Sequence, residues 1–171
     1  DHSAVETMAL GVVSRFPSIV QRNFIDYFSH DVLNNLVVSA FGEAIQQAGL
    51  DVFELGSQRT GFVIGTSKAS LRAMESEWKR RFDHCDSWDG DRSHKWQTSF
   101  MPDAPLSVLL NLSQATGPAS CPVAACATGL VSILQAAALI HSGQCDTCIA
   151  GSADASLRPS VLAAFHRLGV T

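Results

Sequence analysis

Charge is scarce in this sequence: Asp, Glu, Lys and Arg make up only 16% of its 171 residues, with a net charge of −4. No basic run is longer than Lys79-Arg80-Arg81. The dense cationic stripe that neutralises phosphates is therefore lacking, which excludes nucleic acid as the expected partner. No apolar run approaches the ~20 residues of a membrane span. The opening Asp1-His2-Ser3-Ala4-Val5-Glu6 has neither the basic stretch nor the apolar core of a signal peptide. Cysteines number five, an odd count, and three lie in apolar context, which suits a reduced, cytoplasmic chain better than a disulfide framework. Repeats, low-complexity tracts and linkers are lacking too. Apolar residues are plentiful at 46%, enough for a single domain over 1–171 with a sizeable core.

The apolar positions alternate between helical and strand spacing. Leu33, Leu36, Val37, Ala40, Phe41, Ala44, Ile45 and Ala48 predict a helix over 31–49, with Asp31 or Ser29 as N-cap and Gly49 just past its end. The glycine-bounded run over 60–65 reads as a buried parallel strand. A helix is predicted over 69–82, with Leu71, Met74 and Trp78 on one side and Arg72, Glu75 and Lys79 on the other. Residues 83–99 form a long polar loop that includes His84 and His94. Helix 105–115 ends at Gly117-Pro118, a strand spans 119–125, and a long apolar, buried helix follows over 130–140. A second buried strand covers 146–151, and Pro159 opens a last helix. This alternation is the α/β pattern, with a mostly parallel sheet and helices on both faces.

Cys126 stands where the 119–125 strand gives way to the long helix, among small residues: Pro122-Val123-Ala124-Ala125-Cys126-Ala127-Thr128-Gly129-Leu130. A thiol delivered to a helix N-terminus meets the positive end of the helix dipole and unpaired backbone N–H groups. Both favour thiolate, the form that attacks carbonyls. The same N–H groups can serve as half of an oxyanion hole. The pattern predicts a cysteine nucleophile for acyl transfer, with no metal or cofactor required.

Ala125-Cys126-Ala127-Thr128-Gly129-Leu130, the helix through Ile140-His141-Ser142-Gly143, and Asp146 with Ile149-Ala150-Gly151 together resemble the nucleophile region of the β-ketoacyl synthases, the condensing enzymes of the thiolase-fold superfamily. Phe165 to Gly169 resembles the stretch that follows. Upstream, Ala44-Ile45-Gln46-Gln47-Ala48-Gly49-Leu50 and Gly61-Phe62-Val63-Ile64-Gly65-Thr66-Ser67-Lys68 resemble the second core strand and the helix end before it, and Leu10-Gly11-Val12-Val13-Ser14 resembles the first core strand. The resemblance implies the N-terminal half of a thiolase-like fold. It implies that Cys126 accepts an acyl group from acyl carrier protein or a coenzyme A thioester, before decarboxylative condensation with malonyl-carrier protein in fatty acid or polyketide biosynthesis. It also implies a homodimer paired through the 119–125 strand, with Pro105 and Leu106 lining the partner's acyl tunnel. Ser152 departs from the family's second glycine and Ser107 from its asparagine. The family's two catalytic histidines belong to a C-terminal half, and none of the six histidines here matches their context. Arg167-Leu168-Gly169-Val170-Thr171 ends as if more chain were to follow, so a complementary ketosynthase half is an expected partner and condensation by these residues alone is not expected. Carrier proteins are acidic, and Lys68, Arg72, Lys79, Arg80 and Arg81 form a candidate docking patch.

Other readings compete. Ser67, in the tight turn Gly65-Thr66-Ser67-Lys68-Ala69, with Asp154 and His166 downstream, has the Ser–Asp–His order of a hydrolase, although that pattern wants glycine where Ala69 stands. A non-catalytic ketosynthase-like subunit that binds a partner is a third reading. Cys145-Asp146-Thr147-Cys148 spells C-x-x-C, with no second pair to complete a zinc site. His141, in the last turn of its helix, is explained by the dipole there.

Overall fold

The computed structural model of the chain describes residues 31–83 and 101–169. The expected first strand at 10–14 and the polar loop from 84 onward, with His84 and His94, lie outside the described residues. Helix α1 (Val32–Ala48) starts at Asp31, whose carboxylate accepts the Leu33 N–H at 3.2 Å, and stops at Gly49, left-handed with φ 66°. Both ends fall where the sequence placed them. A 3-10 turn (Val52–Leu55) leads to β1 (Thr60–Thr66), which is buried along its whole length.

Helix α2 (Leu71–Asp83) starts two residues later than the apolar spacing suggests. Ala69 sits in the left-handed region at φ 59°, outside the helix. Ser70 caps it instead, its Oγ accepting the Ala73 N–H at 3.2 Å. Helix α3 (Ala104–Ser113) has Pro105 in its first turn and ends at Gln114, at φ 53°. Then come β2 (Ala119–Ser120), a 3-10 turn (Ala125–Ala127), α4 (Thr128–His141), β3 (Thr147–Ala153) and α5 (Pro159–Arg167), the last opening on its proline.

Among the described residues the sheet has three parallel strands in the order β2-β1-β3. β1 pairs with β3 from Thr60↔Thr147 to Thr66↔Ala153, and with β2 only at Phe62↔Ala119 and Val63↔Ser120. The strand expected over 119–125 is thus corrected to two residues. Pro122 has no N–H to donate to a ladder, and beyond Ser120 the chain runs on toward the 3-10 turn without pairing. β3, expected to be buried, is half-exposed because only β1 flanks it among the described residues. Two-sided burial is reached by β1 alone.

Alternation along β1 divides its two faces. Phe62 and Ile64 join the core with Val37, Val38, Phe41 and Ile45 of α1 and Leu106, Leu109 and Leu112 of α3. Gly65, on the opposite face, meets α4. Here the expectation of a buried apolar helix is also corrected. The residues of α4 that are buried are small: Thr128, Ser132 and Ala136, spaced four apart on one stripe. Its large ones face outward, with Leu130 62%, Ile133 58% and Leu134 60% exposed. A stripe of small residues lets the helix axis come close to the sheet, and the bulky residues then have no room on that side.

Gly65 makes this approach possible. A Cβ there would collide with the Thr128 methyl and stand 2.7 Å from the Pro122 carbonyl oxygen and 2.9 Å from Ser132 Oγ. All three neighbours are backbone or buried side chain, so they have little freedom to yield. Gly65→Ala is expected to lower folding stability by about 1–3 kcal/mol in urea titration. Gly151→Ala, with open space around its Cβ, is expected to leave the midpoint nearly unchanged. Equal midpoints for the two variants would contradict the packing described.

Candidate active site

β1 and β3 run parallel and end together, at Thr66 and Ala153. Crevices beyond the carboxyl ends of parallel strands are the usual ligand sites of α/β sheets. The one here is an open cleft of about 220 Å³, lined by Ser67 and Lys68 after β1, Ala125, Cys126, Thr128 and Gly129 at the start of α4, and Ser152, Ala153 and Asp154 at the end of β3. Cys126 is exposed to it.

The thiol stands in a single 3-10 turn ahead of α4, not in the first α-helical turn that the sequence suggested. The turn is strained at one residue. Ala125 has φ 47°, a left-handed conformation that costs an alanine about 1–2 kcal/mol. Thr128 holds it there. The Ala124 N–H donates to Thr128 Oγ1 at 3.0 Å, and that hydroxyl donates to the Ala125 carbonyl at 2.7 Å. The Ala127 N–H closes the turn on the Ala124 carbonyl at 3.0 Å. Thr128 is itself buried, so the loop carrying Cys126 is clamped from inside. No side chain caps the N-terminus of α4; the Thr128 N–H is spent on the Ala125 carbonyl, and the positive end of the helix dipole still favours negative charge there.

The opposite wall is polar. Lys68 Nζ lies 3.6 Å from the Asp154 carboxylate, donates to Ser67 Oγ at 3.3 Å, and stands 5.6 Å from the centre of the Phe165 ring. Asp154 also accepts from the Ser156 N–H at 2.7 Å and from the Ser156 hydroxyl. Burial pushes the Asp154 carboxyl upward, but the Ser156 bonds and the Lys68 ammonium together outweigh it and leave it below its usual value. Among the described residues, no three His, Cys, Asp or Glu side chains are grouped as metal ligands would be.

The structure sorts the candidate residues. Cys126, Ser67, Lys68 and Asp154 meet in one cleft. His166 does not join them: it is exposed on α5, and the partners of Asp154 are Lys68 and Ser156. The Ser–Asp–His relay is therefore not assembled. Lys68 lines the cleft, and Arg72 and Lys79 are exposed on α2. The side chains of Arg80 and Arg81 lie outside the described residues. Pro105 and Leu106 are buried in α3 and do not line the cleft. The sequence reading gave no role to Thr128 or to the close approach at Gly65. Both stood in quoted motifs, but their function depends on the turn at Ala125, which no residue spacing reveals.

Comparison with known proteins follows the same lines. Residues 16–171 match the family model described as "Beta-ketoacyl synthase, N-terminal domain". The chain is 30% identical to 3-oxoacyl-(acyl-carrier-protein) synthase 2 of Staphylococcus aureus over 138 residues, 79% of this chain and 33% of that protein. It is 25% identical to the tetracenomycin polyketide synthase ketoacyl synthase alpha subunit of Streptomyces glaucescens over 146 residues, 84% of this chain and 34% of that protein. The crystal structure of a β-ketoacyl synthase from Burkholderia phymatum superimposes with a TM-score of 0.66 at 20% identity, covering 91% of this chain and 36% of that one. The α/β, thiolase-like fold is shared, and the chain spans about a third of the length of each of these relatives.

The cysteines differ enough to be ranked by reactivity. Burial raises the Cys121 thiol, with the Asp103 charge adding to it, and burial raises Cys148 to about 11, with Cys145 adding to it. Cys145 is buried. Since thiolate is the reacting form, limiting iodoacetamide at neutral pH is expected to label Cys126 before Cys121, Cys145 and Cys148 in a peptide map. Raising the pH toward 11 is expected to bring Cys148 into the reaction. Faster labelling of Cys121 or Cys148 at neutral pH would contradict the site geometry.

Proposed function

The chain belongs to the β-ketoacyl synthases, and from that we propose that it carries the acyl-accepting site of such an enzyme, with Cys126 as the nucleophile. The observation that carries this reading is the exposed Cys126 thiol, held in a clamped turn at the carboxyl ends of two parallel strands and just ahead of an uncapped helix. The acyl donor is a thioester of acyl carrier protein or coenzyme A. Relatives named as 3-oxoacyl-(acyl-carrier-protein) and polyketide synthases support that substrate class.

The thiolate of Cys126 adds to the thioester carbonyl carbon, and the carbonyl oxygen takes up negative charge. Amides at the start of α4 are suited to meet that oxygen. The tetrahedral adduct then collapses: the bond to Cys126 sulfur stays, the bond to the donor's sulfur breaks, and the departing thiolate takes a proton. The product is an acyl-cysteine. Condensation would follow when malonyl-carrier protein loses carbon dioxide and its carbanion attacks this thioester, releasing Cys126. Two histidines stabilise that enolate in the family, so we assign only the first stage to these 171 residues.

Further protein completes the site in this reading. The outward face of α4 presents Leu130, Ile133 and Leu134, and burying each would contribute about 1.5–3 kcal/mol. The outer edge of β2 is unpaired among the described residues. A homodimer joined at β2 and a complementary ketosynthase half on α4 are the proposed assemblies; Pro105 and Leu106, buried within this chain, are not free to reach a partner's acyl tunnel. Arg72 and Lys79, exposed on α2, are the part of the basic patch best placed for an acidic carrier protein, with Arg80 and Arg81 next to them in sequence. A reduced, cytoplasmic setting fits a nucleophilic thiol.

Incubation of the chain with an acyl-coenzyme A, followed by peptide mass spectrometry, tests the assignment. A thioester on Cys126, lost in Cys126→Ala, is the expected result. Acyl transfer to Ser67 would favour the hydrolase reading, and no acylation at all would favour a non-catalytic, partner-binding subunit. β-Ketoacyl product formed from malonyl thioester by this chain alone would contradict the assignment of the first stage only.

A further inference from the structure

The cysteines at the far end of β3 have no part in the acyl-transfer reading. Cys148 is in β3 and Cys145 lies just before it, and the sulfurs of both reach Gly61 of β1. A Cβ placed on Gly61 would stand 3.1 Å from Cys145 Sγ and 3.2 Å from Cys148 Sγ. The two sulfurs are therefore no more than about 6.3 Å apart, the sum of those distances. Gly61 is the registered partner of Cys148 across the sheet, and its missing side chain leaves the space that both sulfurs enter.

A kink at Asp146 brings them to one side. The Arg59 carbonyl, just before β1, accepts from two successive amides, Asp146 N–H at 2.8 Å and Thr147 N–H at 3.3 Å, so the chain bends as it enters β3. The kink is fixed from outside by the Arg59 guanidinium. Its Nε donates to Asp146 at 2.9 Å, Nη2 donates to the same carboxylate, and Nη1 donates to the Gly143 carbonyl at 2.8 Å. Burial, then the neighbouring Cys145 through its charge and a hydrogen bond, raises the Cys148 thiol to about 11.

We propose that Cys145 and Cys148 form a reversible dithiol–disulfide pair, a modification site on the face of β1 that is oxidised by small-molecule disulfides of the glutathione type. Cys148 is half-buried and Cys145 buried, so the incoming disulfide meets Cys148 first. The Cys148 sulfur attacks it, forming a mixed disulfide and releasing one small thiol. Cys145 then attacks the Cys148 sulfur, closing the intramolecular bond and releasing the second small thiol. The protein loses two hydrogens and the small disulfide gains them. The bond formed spans Asp146 and Thr147, and so pins covalently the kink that Arg59 holds by hydrogen bonds.

The test incubates the folded, full chain with oxidised glutathione at about pH 10, where a thiol held at about 11 is partly thiolate, quenches free thiols with an alkylator and maps the peptides by mass. The peptide holding both cysteines is expected to have lost two hydrogens, to carry no glutathione, and to recover both thiols with dithiothreitol. Cys126→Ser is expected to give the same result, separating this pair from the proposed nucleophile. Gly61→Ala keeps both thiols but crowds them with a methyl group 3.1 and 3.2 Å from the two sulfurs, and is expected to slow the cross-link under the same conditions. The proposal is overturned if the peptide remains a dithiol, if glutathione stays on Cys148, if Cys148 pairs with Cys121 or Cys126, or if Gly61→Ala cross-links at the wild-type rate.

Discussion

The contact between Thr128 and Gly65 sets the position of the turn that carries the thiol. Because Gly65 has no side chain, the start of α4 can press against β1. Thr128 is buried in that contact, and its hydroxyl is then directed at the turn before it, accepting from Ala124 and donating to Ala125. Those two bonds, each worth about 1 kcal/mol net, are of the size needed to offset the strain at Ala125. Without the close approach, Thr128 would have no fixed place and the turn no reason to hold its left-handed residue. Cys126 is thus presented by packing two residues away and one strand across, not by anything at the cysteine itself.

Much of the architecture was legible because local chemistry decides it. Asp31 and Gly49 mark the ends of α1, Pro159 opens α5, and the glycine-bounded apolar run is a buried central strand. What was not legible depends on neighbours. An extended apolar segment looks the same whether it pairs or not, so the loss of the ladder after Ser120 could not be foreseen. Helix α4 is apolar nearly all round, and periodicity therefore gave no sign that Ser132 and Ala136, rather than Leu130 and Ile133, face the sheet. Ala69 was noted as a departure from a glycine pattern, and its φ of 59° shows why glycine would suit that place. The cysteine motif was the most readable part of the site; the clamp that presents it was not.

β3 links the two ends of the molecule that carry chemistry. Its carboxyl end supplies Ser152, Ala153 and Asp154 to the cleft, and its amino end carries the kink with Cys145 and Cys148 over Gly61. In both places a glycine of β1 makes room for a group from the neighbouring element: a threonine methyl at Gly65, two sulfurs at Gly61. The large residues of α4 point away from all of this. The assembly proposed above would cover that apolar face.

The most direct test of the central claim compares thioester exchange at Cys126 in the folded chain and in the chain unfolded by urea, using one acyl-pantetheine donor at one pH. The account expects acyl transfer to the folded thiol to be the faster, because the clamped turn and the amides at the start of α4 are present only in the fold. A folded rate equal to or below the unfolded rate would mean that the turn exposes Cys126 without activating it, and would contradict the account.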